Sequence, residues 1–416
     1  MTALILNRGP LALRPYAQWL ADYPGDLLLL TSAEELTKHG ESLPGAVDGY
    51  AHAAAITDYD SSGRVESAAL SLAGSRRIDQ VIACQEIDLQ RAAALRETLG
   101  IGGQSLASAD CYRDKLLMKR QAQRAGIAVA PHTEIHTAVD VLEFVDDHSY
   151  PVVLKPRDGQ SSVGLSVIHD DAGLDRWLDR DFTLYDGESA LLAEAFVPGS
   201  MHHVDGMIID GRMVIAWPSQ YLYQLAGFAQ ADAEPRLDAT LDVDDPLRPR
   251  LIAFVEKVID ALPTPGCSTF HAEVFHTPGD ELVLCEIASR NGGALIKYLL
   301  RAMFRVDFPV AWVRMSLGLP VPELGAVDTT RPATMAGQVL LPKRAGIVRR
   351  VPHRAPFDWV EHLECSVAPG DRLGGAASSG DYMAGMVVVA PTRARCEQRM
   401  RQAAQWLRRA IVVDPE

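Results

Sequence analysis

The stretch from residue 270 to 287 constrains this chain more than any other, because it reads as two short apolar strands joined by a turn. A tip at Gly279 and Asp280 makes it a β-hairpin, and this register sets Glu273 directly opposite Glu286. Side chains that face each other in this way are about 5 Å apart, so two carboxylates repel each other unless a cation lies between them. Oxygen ligands favour Mg²⁺ or Mn²⁺. The alternative is a solvated hairpin without a metal, since a slip of one residue would turn one glutamate to the opposite face.

The residues after this hairpin add positive charge and a glycine-rich turn. Arg290 comes four residues after the second glutamate, and Asn291-Gly292-Gly293 then leads into an apolar run with helical spacing. A turn that enters a helix offers backbone N–H groups to an anion, and a guanidinium binds phosphate oxygens in pairs. Together with a metal, these features predict a phosphate site.

Composition narrows the possible function classes. The 416 residues carry a formal net charge of −14, with 48% hydrophobic and 23% charged residues, as in a globular protein of two or three domains. The acidic balance argues against nucleic-acid binding, and no apolar run approaches the ~20 residues of a membrane span. The start of the chain lacks the features of a signal peptide. The six cysteines are scattered without a CxxC motif, which favours buried free thiols in a reducing cytoplasm (Cys84, Cys111, Cys267, Cys285, Cys365 and Cys396).

The first ~105 residues alternate strand and helix signals. Apolar runs at Ala3–Asn7, Asp26–Leu30 and Gln80–Cys84 predict strands, and helical spacing appears at Arg14–Leu20 and Ile87–Leu99. This alternation predicts a small α/β lobe with a parallel sheet.

The next segment supplies a second candidate phosphate-binding feature. A helix is predicted from Asp110 to about Ala125, followed by a strand that ends in Lys155-Pro156 and by a Gly/Ser-rich loop, Gly159–Gly164. Such a loop can close over phosphates with its backbone N–H groups and hydroxyls. It matches neither GxxxxGK[ST] nor GxGxxG, and by itself it is also compatible with a mobile hairpin loop and a surface lysine. Lys115, in a helical run, is by itself compatible with a solvated face.

The remainder of the chain is rich in strand signals. A helix is predicted from Pro246 to Leu262, and residues 331–416 read as a small β-rich lobe that ends in a helix from Thr392 to Leu407. The segment Gly374–Gly380 within this lobe is predicted to be a flexible loop.

The order of these motifs resembles that of the ATP-grasp superfamily over most of the chain. The motifs are, in order, Asp114-Lys115, Lys155-Pro156, Gly159–Gly164, Leu192–Gly199, Glu273, Glu286 and Arg290, with Cys84–Asp88 and Ala93–Glu97 similar to the end of the N-terminal lobe. Within the superfamily the chain most resembles the carboxylate–amine ligases that make dipeptides, the L-amino acid ligases. The resemblance implies an α/β (α+β) fold with an N-terminal parallel lobe (1–107), a small nucleotide-binding lobe (108–190), a large lobe with the metal site (191–325) and a β-rich C-terminal lobe (326–416).

The resemblance also implies roles for individual residues. Two lysines would hold the inner phosphates of ATP under a lid, and the hinge after the lid would contact adenine through its backbone. The implied nucleotide-binding set is Lys115, Lys155, Gly159, Gln160, Ser161, Ser162, Gly164, Glu194, Ala195, Val197 and, toward the ribose, His203, with His202 and Asp205 as alternatives. Arg290 would be catalytic, and Glu273 and Glu286 would bind Mg²⁺ or Mn²⁺.

One position departs from the pattern. Many ATP-grasp enzymes carry a metal-binding Asn two residues after the second metal glutamate, where this chain has Ala288. Asn291 is the substitute ligand that we expect.

The resemblance implies an ADP-forming ligase that joins a carboxylate to an amine, both small molecules and most simply amino acids, through an acyl phosphate. Two alternatives are another ATP-grasp chemistry, such as that of biotin carboxylase or a purine-pathway formate ligase, and a nucleotide-binding protein without turnover. The expected location is the cytoplasm, without nucleic-acid or membrane partners, and a homodimer is left open.

Overall fold

The computed structural model describes residues 1–182, 190–223 and 234–415, and the N-terminal part of the chain forms the expected parallel sheet, with strand order β3-β2-β1-β4. Its strands are β1 (Thr2–Asn7), β2 (Asp26–Ser32), β3 (His52–Ile56) and β4 (Gln80–Ala83), and its helices are α1 (Tyr16–Trp19), α2 (Ala33–His39), α3 (Arg64–Ala73) and α4 (Glu86–Leu99). The predicted helix from Arg14 to Leu20 is only one turn long, because Arg14 precedes Pro15 and a residue before proline disfavours helical backbone.

Two short helices follow where one was predicted. The helix expected to begin at Asp110 is instead divided into α5 (Leu106–Cys111) and α6 (Lys115–Arg124). Asp114, not Asp110, caps α6, because its Oδ1 accepts the Leu116 N–H at 2.9 Å and satisfies a free donor of the first turn. This cap fixes where α6 begins.

A four-stranded antiparallel sheet with strand order β5-β8-β6-β7 comes next. Its elements are β5 (His132–Ile135), α7 (Ala138–His148), β6 (Val152–Pro156), β7 (Ser166–Ile168), α8 (Asp171–Arg180) and β8 (Leu191–Ala195). The loop between β6 and β7 contains the Gly/Ser-rich motif, as predicted.

The largest sheet has eight strands in the order β13-β12-β9-β10-β11-β14-β18-β16. Its strands are β9 (Ser200–Ile209), β10 (Arg212–Tyr221), β11 (Arg236–Thr240), β12 (Cys267–His276), β13 (Leu282–Ala288), β14 (Met335–Pro342), β16 (Val360–Cys365) and β18 (Tyr382–Ala390). Three further strands, β15 (Gly346–Arg350), β17 (Arg372–Leu373) and β19 (Val412–Asp414), form a small sheet, and the helices are α9 (Leu247–Ala261), α10 (Ile296–Phe304), α11 (Phe308–Ser316) and α12 (Arg393–Ala410). Strands β14, β16 and β18 of the expected C-terminal lobe thus extend the sheet of the preceding lobe, and the proposed boundaries between lobes stay predictions.

The β12–β13 hairpin pairs Glu273 with Glu286, as predicted, although its tip differs from the prediction. The turn is longer than Gly279-Asp280: Thr277 N–H donates to the Glu281 carbonyl at 2.9 Å, and Asp280 adopts a left-handed φ of 63°. The strand ends are therefore one residue out of the expected register. A β-bulge beyond Glu273 restores it, so that the two glutamates still face each other.

The two faces of the large sheet have different environments. On one face, Val204, Ala272 and Val274 pack against α6 and α9 in an apolar core. On the other face, part of the sheet packs against α10 and α11. None of the described helices is both long and apolar enough to cross a membrane. All six cysteines are free thiols, as predicted, and Cys285 and Cys396 are buried.

Candidate active site

A row of polar residues crosses one face of the large sheet. Strand pairing sets Glu286 beside Glu273, Glu273 beside His203 and His203 beside Ser219, so these side chains share a face. Because side chains alternate along a strand, Val204 and Ala272 between them point into the core on the other face. The apolar-polar alternation of β9 and β12 therefore creates the polar surface.

Two lysines lie close to the paired glutamates. Lys115 Nζ is 3.2 Å from Glu286 Oε2. Burial alone would raise the pKa of the Glu286 carboxyl, but the charges of Lys115 and Lys155 outweigh it and lower the pKa to about 2. Glu286 is thus held as an anion.

Lys155 belongs to a buried ion triplet that sequence reasoning missed. Glu194 Oε1 lies 2.9 Å from Lys155 Nζ and 3.2 Å from Lys119 Nζ, and Lys119 is fully buried. Burial opposes the charge on Lys155, yet Glu194 raises the pKa of that lysine, and both lysines lower the pKa of Glu194. The sequence did hold a signal, since Lys115 and Lys119 are four residues apart and therefore share a face of α6.

The Gly/Ser-rich loop between β6 and β7 is tied to its surroundings by backbone contacts. Lys115 Nζ donates to the Gly159 carbonyl at 2.6 Å. Ser161 and Ser162 adopt left-handed φ values of 54° and 59°, a conformation that L-residues rarely adopt outside turns. The Ser161 carbonyl accepts the Ser379 N–H at 2.9 Å, so the predicted flexible segment in the C-terminal part of the chain meets this loop.

Arg290 is held by the N-terminal parallel-sheet unit. Its Nε and Nη2 donate to Glu86 Oε2 at the start of α4, and its Nη1 donates to the Asn291 carbonyl at 2.9 Å. Burial would lower the pKa of Arg290, but Glu86 raises it. Arg113 is a second guanidinium near Glu86, at 3.5 Å. Nothing in the sequence pattern indicated that Glu86 and Arg290, about 200 residues apart, would meet.

These groups converge on one cavity of about 1100 Å³. Of the predicted site residues, those that line it are Lys115, Lys155, Gly159, Gln160, Ser161, Ser162, Glu194, Ala195, Val197, Glu273, Glu286 and Arg290. Gly164, His203 and Asn291 do not line it. Gly164 belongs to the loop whose other residues line the cavity, and Asn291 directly follows a lining residue.

His203 does not line the cavity, and its contact with a ribose stays a prediction. Its side chain is fully buried, and its two ring nitrogens are bonded to Asp205 and, at 2.8 Å, to Asp238. Burial would lower the pKa of His203, but the two carboxylates raise it well above the usual value. The alternatives, His202 and Asp205, are also buried, with 1% and 2% exposure. The carboxylates of Asp205 and Asp238 allow His203 to be buried, because they compensate its charge.

Among the described residues, the segment that follows β8 contains a backbone N–H without a partner. The N–H groups of Ala195 and Phe196 donate to the carbonyls of Pro131 and Pro151, at 2.9 and 3.1 Å. Within the described ranges, the Val197 N–H has no hydrogen-bond partner. This donor lies at the wall of the cavity.

The donor set fits a hard divalent cation. Glu273 and Glu286 face each other on neighbouring strands, and Glu286 is ionised. Asn291, which directly follows the lining residue Arg290, has a buried side-chain oxygen without a hydrogen-bond partner among the described residues. Carboxylate and amide oxygens are the ligands that Mg²⁺ and Mn²⁺ accept.

Comparisons with known proteins agree with this geometry. Residues 338–411 match the family model described as L-amino acid ligase C-terminal domain 2. The L-arginine-specific L-amino acid ligase of Bacillus subtilis is 25% identical over 239 residues, which are 55% of this chain and 55% of that protein. The D-alanine–D-alanine ligase of Paenarthrobacter aurescens is 26% identical over 216 residues, which are 48% of this chain and 55% of that protein. The chain thus spans about half the length of these curated relatives.

Solved structures cover the whole chain. The L-amino acid ligase from Bacillus licheniformis superimposes with a TM-score of 0.78 at 15% identity, over 100% of this chain and 99% of that one. The biotin carboxylase domain of the Hydrogenobacter thermophilus 2-oxoglutarate carboxylase was solved as a dimer with Mg-ADP and bicarbonate. It superimposes with a TM-score of 0.69 at 17% identity, over 99% of this chain and 90% of that one. The fold class and the family resemblance predicted from the order of the motifs are both confirmed.

Proposed function

We propose that this chain, an ATP-grasp protein similar to the L-amino acid ligases, is an ATP-dependent carboxylate–amine ligase. The observation that carries the proposal is the convergence of two lysines, two facing glutamates and a half-buried arginine on one cavity beside a Gly/Ser-rich loop. A site with these charges suits phosphoryl transfer, in which catalysis consists mainly of positioning and electrostatic stabilisation.

Lys115 and Lys155 are proposed to bind the inner phosphates of ATP as point charges. Each is already held near its place by a carboxylate, at 3.2 Å from Glu286 and 2.9 Å from Glu194. The loop of residues 159–164 is proposed to cover the phosphates, with its backbone N–H groups and serine hydroxyls as donors. Of the hinge residues, Val197 has the free N–H suited to an acceptor nitrogen of adenine, and Glu194 and Ala195 form the adjoining wall.

Glu273, Glu286 and Asn291 are proposed to hold Mg²⁺ or Mn²⁺. A cation held there would neutralise part of the phosphate charge and help to orient the γ-phosphate. The number of ions stays open because Ala288 lacks a donor.

In the proposed reaction, a carboxylate oxygen of the first substrate attacks the γ-phosphorus, and the bond to the β–γ bridging oxygen breaks to release ADP. The amine of the second substrate, as the free base, then attacks the acyl-phosphate carbon. Inorganic phosphate leaves, the amine loses its proton, and an amide bond forms. Arg290 is proposed to stabilise the negative charge, first on the transferred phosphoryl group and then on the tetrahedral oxygen.

The relatives suggest the substrate class. Amino acids are the proposed carboxylate and amine substrates, in keeping with the name of the Bacillus subtilis relative. A homodimer is proposed by analogy with the dimeric biotin carboxylase domain. The cytoplasmic location stays a prediction.

A panel of amino-acid pairs tests the proposal. Purified protein with ATP and Mg²⁺ should release ADP and phosphate only when a carboxylate and an amine are both present, and mass spectrometry should find a dipeptide for the active pairs. Bicarbonate-dependent ADP release without an amino acid would instead support a biotin carboxylase-like chemistry. Nucleotide binding without turnover on any pair would support the non-catalytic alternative.

A further inference from the structure

The side chain of Glu273 is held on one side only. Its Oε1 accepts the Tyr221 hydroxyl at 2.9 Å and lies 3.6 Å from His271 Nε2. No described residue forms a hydrogen bond with Oε2, and Glu273 lines the cavity. One oxygen of the carboxylate is therefore fixed, and the other is free to face a ligand.

A chain of buried polar groups supports this arrangement from below. His271 Nδ1 bonds to Asp205 Oδ1 at 2.8 Å, and the other Asp205 oxygen bonds to His203, whose second nitrogen bonds to Asp238. Gln338 donates to Asp238 at 2.8 Å and accepts the Leu295 N–H at 3.0 Å, just before α10. This chain of buried polar groups therefore links Glu273 to the segment that follows Arg290.

The same chain of buried polar groups is closely packed against the segment that follows Arg290. A Cβ atom at Gly292 would lie 2.6 Å from Asp205 Oδ1, so a larger residue in this turn would have to displace the buried carboxylate. His203, Asp205 and Asp238 are at most 2% exposed. Groups packed this closely have little freedom to rearrange, which makes the chain a rigid support.

We infer that Tyr221 is a positioning residue for metal binding, which orients Glu273 so that Oε2 faces the cation while the buried chain from His271 to Gln338 keeps that carboxylate in place. This inference rests on the proposed function. Partners of metal ligands typically change metal affinity by about 10–100-fold when they are removed.

The direct test measures Mn²⁺ binding, not turnover. Free Mn²⁺ is titrated by electron paramagnetic resonance in the presence of ADP, for wild type, Tyr221→Phe and the control Tyr223→Phe. Tyr223 contacts the Tyr221 ring, at 5.5 Å between centroids, but makes no hydrogen bond to Glu273. We expect Kd for Mn²⁺ to rise about 10–100-fold in Tyr221→Phe and to stay within about twofold of wild type in the control.

A second variant and a second readout keep the test decisive. His271→Asn serves as the test if Tyr221→Phe does not fold. It retains an amide near the position of Nδ1 but removes the nitrogen that faces Glu273, so it should also weaken Mn²⁺ binding. In turnover assays, Tyr221→Phe should need more Mg²⁺ for half-maximal rate yet regain most of the maximal rate at saturating Mg²⁺. Wild-type Mn²⁺ affinity in folded Tyr221→Phe, or a lower maximal rate at an unchanged Mg²⁺ requirement, would overturn the inference. A wild type that binds no Mn²⁺ with ADP would instead contradict the proposed function itself.

Discussion

Replacing Glu86 by Gln should destabilise the protein and misplace Arg290. The two side chains are only 10% and 19% exposed, and two guanidinium nitrogens share Glu86 Oε2. Removing one partner of a buried ion pair typically costs about 3–5 kcal/mol, because the other charge stays buried without compensation. Gln keeps one acceptor oxygen, and Glu286 still attracts Arg290, so we expect about 2–3 kcal/mol.

The assay is urea unfolding of wild type and variants, followed through the transition of the N-terminal unit. An exposed pair provides the control: Asp60 is 2.8 Å from Arg8, with 43% and 41% exposure, so Asp60→Asn should cost less than about 1 kcal/mol. In the double variant Glu86→Gln/Arg290→Gln, the loss should be smaller than the sum of the single losses. Equal, small losses for Glu86→Gln and Asp60→Asn would refute the reasoning, as would strict additivity in the double variant.

Three further outcomes are expected. Mg²⁺ with ADP should raise Tm of wild type but not of Glu273→Gln or Glu286→Gln, since a ligand that binds the native state stabilises it; equal Tm shifts would contradict the metal assignment. Amide hydrogen exchange in residues 159–164 should slow when an ATP analogue and Mg²⁺ are added, whereas unchanged exchange would mean a structural hairpin. Burial raises the pKa of Asp88 to about 7, although Arg91 and Tyr59 oppose the shift. The folded state thus binds this proton more tightly than the unfolded state, so the ionisation of Asp88 lowers the stability of wild type as pH rises from about 4 to about 7. In urea unfolding, the stability of Asp88→Asn relative to wild type should therefore increase between about pH 5 and pH 8. A decrease in its relative stability would contradict the shift.

The sequence predicted the strands and the order of the motifs because apolar periodicity and turn residues are local signals. The facing of Glu273 and Glu286 was predicted correctly although the tip was not. Asp280 can adopt a left-handed φ, which lengthens the turn, and the bulge at Cys285 then compensates. A longer turn and a bulge that cancel each other's effect on the register cannot be read from the alternation of apolar and polar residues.

Contacts between distant segments escaped prediction. The pairing of Glu86 with Arg290, and the burial of Lys119 beside Glu194, depend on how units pack after they form. The resemblance implied that His203 lies near the ribose, and the burial of its side chain could not be read from the sequence. Its two carboxylate partners lie on different strands, and only the folded sheet brings them together.

The fate of a labelled carboxylate oxygen tests the central claim most directly. The protein is given ATP, Mg²⁺, an amine and an amino acid whose carboxylate carries ¹⁸O, chosen from the active pairs, and the products are analysed by mass spectrometry. If the reaction passes through an acyl phosphate, as we expect, one labelled oxygen is transferred to the inorganic phosphate, and the nucleotide product is unlabelled ADP. Label in AMP, together with pyrophosphate release, would mean that the carboxylate is adenylated, and it would contradict both the ligase mechanism and the role proposed for Arg290.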